Sequence, residues 1–229
     1  MIRAILLDLG GPVFNEDSEY RVWTELLREE LGRIGLFVSR EEFEEVVRRE
    51  ISRCEPNPWL SAVWYFVRPD VAKFREILAA FRAHNQEYQR ELPGVFVRPE
   101  AKEVIPRLAE RYVLALAGNQ PVSALKILEK AGLLSYFRWK EVSEGMGVAK
   151  PSPLFFRMIL DGLGVEPKEA VMVGDRLDHD VFPARLLGMR TVRVLLGPYS
   201  GQRPPSPLHL PHASIPDLST LEEALLDFD

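Results

Sequence analysis

Beyond Pro93-Gly94 the chain alternates short apolar runs with segments of helical periodicity, and this alternation constrains the fold more than any other feature. The pattern predicts a helix over 99–111, a strand over 112–117 and a helix over 122–131 that Gly132 halts. Ser152 as a cap and Pro153 in the first turn open another helix. A strand over 170–174, a helix over 181–187 closed by Gly188 and a strand over 191–195 follow. At the other end, the apolar run 2–9 is interrupted by Asp8 and enters a tight loop at Gly10, Gly11 and Pro12, so it reads as a buried strand. Strands that alternate with helices imply a parallel sheet covered by helices on both faces.

Residues 15–92 break this pattern. Ser39 followed by Glu42 is a capping box for a helix reaching about Arg53. Val71, Phe74, Ile77, Leu78 and Phe81 recur at helical spacing after the start signal Pro69-Asp70, and the aromatic stretch 59–67 between them reads as helix too. The expected fold is therefore α/β. A Rossmann-like parallel-sheet core is built from residues 1–14 and 93–229, and an all-helical domain, residues 15–92, is inserted after the first strand. The proline-rich segment 197–211 reads as a surface loop.

A formal net charge of −5 gives no long-range attraction to nucleic acid or to anionic membrane, so neither is expected as a partner. Cys54 is the single cysteine, which rules out a disulfide within the chain. The N-terminal apolar run is too short for a signal peptide, and no run approaches the roughly 18 apolar residues of a spanning helix. The expected location is the cytoplasm.

In an open parallel sheet, ligands bind at the carboxyl ends of the strands. Three motifs fall there: Asp8, the pair Gly118-Asn119, and the run from Gly174-Asp175 to Asp180. Lys150, just before the Ser152 helix, adds a cation from a fourth loop. Each residue alone has an ordinary structural use, as a turn former, a helix cap or a solvated surface lysine. Together, carboxylates and one lysine at strand ends suit a Mg²⁺ and phosphate site, because Mg²⁺ prefers one or two carboxylates plus waters and substrate phosphate.

The order Asp8-Leu-Gly-Gly, Gly118-Asn119, Lys150-Pro151 and Gly174-Asp175-x₄-Asp180 resembles the four-motif signature of the haloacid-dehalogenase superfamily, and the helical insertion sits where that family carries its helical cap. The resemblance implies a hydrolase in which Asp8 is the nucleophile and forms an aspartyl intermediate. It implies Mg²⁺ held by Asp8, the Gly10 carbonyl and Asp175, with Asp180 supporting the metal's waters. Lys150 would act in catalysis and, with Gly118 and Asn119, bind phosphate. The expected substrate is a small phosphorylated metabolite.

Two positions depart from the family pattern. Its phosphatases carry a second aspartate, the general acid and base, where this chain has Gly10. They carry Ser or Thr where this chain has Gly118, which leaves only a backbone N–H for phosphate. A positioned acid is worth about 10²–10⁴ in rate. Its loss opens two alternatives, a catalytically impaired binding protein and a metal-free 2-haloacid dehalogenase. Asp17 is a candidate replacement acid, though a solvated hinge residue is its commoner role. Trp59, Trp64, Tyr65 and Phe66 either line the substrate pocket or pack within the cap, the second being the commoner fate.

Overall fold

The computed structural model describes residues 1–228, and two bodies of secondary structure follow the two sequence textures. The sheet contains β1 (Ala4–Leu7), β4 (Val113–Leu116), β5 (Phe137–Trp139), β6 (Ala170–Gly174), β7 (Arg190–Val194) and β8 (Ala213–Ile215). Its strand order is β5-β4-β1-β6-β7-β8 and every pairing is parallel. All four residues of β1 are buried, as expected of a strand covered on both faces.

Alternate side chains of each strand go to opposite faces. Ile5 and Leu7 join Leu114, Leu116, Val171 and Val173 in one cluster, packed on α5 (Pro99–Ala109), α6 (Ala124–Lys130) and α10 (Leu221–Leu226). Ala4 and Leu6 face the other way with Ala115, Ala170 and Met172, under Phe155, Phe156 and Ile159 of α8 (Pro153–Leu163) and Ala184 of α9 (Phe182–Leu186).

Helices α1 (Asp17–Arg33), α2 (Arg40–Ser52), α3 (Pro58–Val67) and α4 (Val71–Glu91) gather around a separate apolar cluster that includes Leu27, Phe43, Trp59, Val63 and Ile77. The Ser39–Glu42 capping box opens α2, and Asp70 caps α4 by accepting from the Lys73 N–H at 3.0 Å. Ser152 sits at the expected start of α8, but its side chain makes no capping bond. The chain enters and leaves the helical block through a short antiparallel ribbon, β2 (Phe14–Asn15) paired with β3 (Phe96–Val97).

Some elements differ from the sequence reading. Strand β5, only three residues long, and the edge strand β8 were not expected; their runs are too short to show a period. The helix expected over 181–187 begins earlier, as a π-helical turn over Leu177–Val181 that runs into α9. The segment 197–211 is not wholly a surface loop: Tyr199 and Gln202 are buried, and Tyr199 packs into the core of the helical block. Among the described residues no helix is long and apolar enough to cross a membrane.

Candidate active site

The chain leaves β1 toward β4 on one side and leaves β6 toward β7 on the other, so strands β1 and β6 flank the point where the sheet's winding reverses. A crevice forms at such a point, and the ends of both strands carry carboxylates. Asp8 follows β1 and Asp175 follows β6, with Asp8 N–H bonded to the Val173 carbonyl at 2.8 Å. Asp180 reaches the same place from the π-helical turn. Carboxylate oxygens of Asp8, Asp175 and Asp180 all lie within 4.8 Å of one another, and all three residues are buried.

Two glycines make this crowding possible. A Cβ on Gly174 would meet the Asp180 carboxyl carbon at 2.3 Å, and one on Gly11 would meet an Asp175 oxygen at 2.7 Å. Gly11 also has φ of +83°, a conformation that side-chain-bearing residues rarely adopt.

Lys150 Nζ contacts Asp8 Oδ1 at 2.9 Å and Asp180 Oδ1 at 2.6 Å. Burial by itself would lower the lysine pKa, but Asp180 and Asp8 overcome it and hold the ammonium above its usual value. Among the described residues Lys150 is the one cationic side chain paired with the cluster. Burial, only partly offset by Lys150, therefore pushes the Asp8 carboxyl up to about 7. The Asp175 carboxyl is also held well above its usual range, by burial and then by the charges of Asp8 and Asp180. Three oxygen donors in one spot, short of positive charge, are a donor set that a hard divalent cation fits. Asp180 accepts from both Lys150 Nζ and the Arg176 N–H, which fixes its orientation beside the other two.

Asn119 lines the cavity above these groups, and its side chain also holds the lysine loop. Its side-chain Nδ2 donates to the Lys150 carbonyl at 2.9 Å and its Oδ1 accepts the Lys150 N–H at 2.8 Å, so the amide is committed to holding the lysine loop. Gly118 is tightly enclosed. A Cβ there would sit 3.1–3.2 Å from side-chain atoms of Gln120 and Leu9, so these neighbours would have to give by a few tenths of an ångström to admit a side chain.

A cavity of about 120 Å³ opens over these groups. Its floor is Asp8, Gly10, Lys150 and Asp175, and its roof is Glu19, Tyr20 and Trp23 of α1 with Gln89 of α4. None of Trp59, Trp64, Tyr65 and Phe66 lines it. Trp59 is buried in the helical cluster, where it stacks on Tyr20 with ring centroids 5.0 Å apart. Asp17 is exposed and accepts a bond from Asn15, away from the cavity.

Beside the cavity Asp178 is clamped by Arg176, His179 and Gln202, each at 2.5 Å. Burial opposes its ionisation, but the bonds from His179 and Arg176 prevail and hold the carboxyl well below the usual range. Arg176 also bonds the Tyr199 hydroxyl and the Pro56 carbonyl, so the β6 loop is tied to the helical block.

Sequence reasoning missed Glu16. It is 6% exposed, lines the cavity and accepts from Gln120 Nε2 at 2.6 Å and from the Tyr20 hydroxyl at 3.3 Å. Burial raises its pKa against those bonds. Glu16 stands one residue before Asp17 in the chain.

The model of the haloacid dehalogenase-like hydrolase family matches residues 2–188, and the chain belongs to that family. It is 31% identical to a phosphoserine phosphatase of Thermus thermophilus, over 98% of this chain and all of the relative. It is 26% identical to a phosphoglycolate phosphatase of Thiobacillus denitrificans, over 98% and 95% of the two chains. A haloacid dehalogenase-like hydrolase structure from Streptococcus pneumoniae shares the fold, with a TM-score of 0.71, 16% identity and coverage of 100% and 99%.

Proposed function

We propose that this protein is a Mg²⁺-dependent phosphatase of small phosphorylated metabolites, with Asp8 as its nucleophile and the four-helix block, α1 to α4, as its cap. The observation that carries the reading is Asp8 paired with Lys150 at 2.9 Å beside Asp175 and Asp180, at the floor of one small cavity. Similarity to phosphatases along nearly the full chain supports it. A cavity of about 120 Å³ lies well below the roughly 300–1,000 Å³ of drug-sized ligand pockets, which favours a compact phosphate ester.

Asp8, the Gly10 carbonyl and Asp175 would hold Mg²⁺, with Asp180 orienting its water ligands. When bound, the ion supplies positive charge to phosphoryl and carboxylate oxygens. Asp8 attacks phosphorus, and the bond from phosphorus to the leaving oxygen breaks as the Asp8–phosphorus bond forms. Lys150, held in place by Asp180 and by the Asn119 clamp on its main chain, offsets charge on Asp8 and on the phosphoryl oxygens. Water then attacks phosphorus, which frees Asp8 and inorganic phosphate. The Gly118 N–H is a donor for phosphate.

A metal-free haloacid displacement would leave the Asp175–Asp180 cluster without a use, which favours the phosphatase reading. A panel of small phosphate esters, assayed with Mg²⁺ and with EDTA on the protein and on Asp8→Asn, tests it. Metal-dependent phosphate release that Asp8→Asn abolishes is expected. Release that survives in EDTA or in Asp8→Asn would overturn it.

A further inference from the structure

We propose that Glu16 is the general acid and base of this site, its carboxylate standing where a side chain on Gly10 would otherwise project. The inference deepens the phosphatase reading and rests on it. When Asp8 displaces an alkyl leaving group, the departing oxygen needs a proton, and the water that later attacks phosphorus must lose one. Gly10 has no group that can do either.

The space beside Gly10 is filled. A Cβ built on Gly10 falls 2.6 Å from Glu16 Oε2, 3.1 Å from its carboxyl carbon and 3.2 Å from Oε1. The backbone of Gly10 has no positive φ that would exclude a side chain. The Glu16 carboxylate occupies that space and would have to move to admit one.

The loop between β1 and α1 brings Glu16 back to this point. Val13 and Phe14 N–H both return to the Leu9 carbonyl, at 3.1 and 2.7 Å, which folds Leu9–Phe14 into a tight turn. Arg98 secures that turn, with Nε on the Gly11 carbonyl at 2.6 Å and its own N–H on the Val13 carbonyl at 2.8 Å. The Glu16 carbonyl then receives the Glu19 and Tyr20 N–H groups as α1 begins. At the other end of the side chain, Gln120 Nε2 holds Oε1, leaving Oε2 on the Gly10 side with the Tyr20 hydroxyl.

Other polar groups lining the cavity are committed elsewhere. Lys150 is locked between two carboxylates, and His179 is bonded to Asp178 at 2.5 Å. Glu19 sits on the roof, where it accepts from Gln89 Nε2 at 3.3 Å. As a carboxylic acid at this point Glu16 gives its proton to the departing oxygen in the first step, and the carboxylate left behind takes one from water in the second.

The test measures the first turnover with Mg²⁺, where alcohol or phenol release reports the acid step, on 4-nitrophenyl phosphate, glycerol 3-phosphate and O-phosphoserine. For Glu16→Gln, the ratio of the 4-nitrophenyl to the alkyl phosphate rate is expected to rise by about 10²–10⁴. Gly10→Asp combined with Glu16→Ala should bring the ratio back toward that of the wild type, because the vacated space then admits the aspartate. Gly10→Asp alone should give no gain, since Glu16 already occupies the space and supplies the acid. An unchanged ratio in Glu16→Gln overturns the proposal and leaves the phosphatase reading standing. Absence of turnover on every ester by the wild type overturns both. Should Glu16→Gln fail to fold, the wild type alone decides. A shallow dependence of first-turnover rate on leaving-group pKa across aryl phosphates supports an acid in place, and a steep one overturns it.

Discussion

Replacing Glu19 by Gln tests whether the roof of the cavity is as dry as its geometry implies. Glu19 is 4% exposed and accepts a bond from Gln89 Nε2 at 3.3 Å. Burial, and next the charge of Glu16, push its carboxyl from 4.5 up to about 8. The folded state therefore keeps a proton that the unfolded chain releases near pH 4.5, so Glu19 withdraws stability as pH rises between those two values. At 1.36 kcal/mol per unit, the loss between pH 4 and pH 7 is on the order of 3 kcal/mol. Glutamine releases no proton and still offers an oxygen to Gln89. Urea unfolding of both proteins in metal-free buffer, at half-unit steps from pH 4 to 9, gives the comparison. The stability of Glu19→Gln relative to wild type should grow by about 3 kcal/mol up to pH 7 and level off beyond about pH 8. A difference that stays constant, or shrinks as pH rises, would refute a desolvated Glu19.

Three further outcomes follow from the site. Asn119→Ala removes both bonds that clamp the Lys150 main chain. It should lower kcat/KM by acting through Lys150, so Asn119→Ala/Lys150→Ala should be no worse than Lys150→Ala; additive losses would contradict this. Asp178 has a depressed pKa, so its contribution to stability is present above about pH 4 and is lost as pH falls further. Acid unfolding of Asp178→Asn should therefore lack part of the wild-type pH dependence, and at pH 7 the variant should be less stable by about 3–5 kcal/mol, the cost of breaking a buried pair. Gly11→Ala combines a positive φ with a 2.7 Å collision against Asp175, and should weaken both stability and Mg²⁺ affinity, measured by thermal melts and calorimetry.

The parts of this protein legible in its sequence are those written in local pattern. The strand β6 was expected at its observed bounds because the run Ala170–Gly174 stands between the charged Glu169 and Asp175. The capping box at Ser39 and the start of α4 at Asp70 were equally plain, since each is a contact between residues three apart. The meeting of Asp8, Lys150, Asp175 and Asp180 in one place was legible because strand ends converge in a parallel sheet whatever their sequence separation.

What stayed hidden depends on long-range packing. Glu16 reaches the cavity only because Leu9–Phe14 doubles back, and its amide partner Gln120 is 104 residues away. The hold of Asn119 on the Lys150 main chain is likewise a contact across 31 residues. Tyr199 looked like part of a proline-rich surface loop, yet it is buried in the helical cluster and carries the Arg176 guanidinium 4.1 Å above its ring. A one-dimensional pattern does not encode where such a side chain ends.

The central claim is that Asp8 becomes covalently phosphorylated. Rapid quenching of the enzyme during Mg²⁺-dependent turnover of 4-nitrophenyl phosphate, followed by borohydride reduction and peptide mass spectrometry, tests it directly. An aspartyl phosphate is reduced to homoserine, so the account predicts homoserine at position 8, dependent on both substrate and Mg²⁺. Sustained turnover with Asp8 intact in every quenched sample, or with the label on another residue, would contradict it.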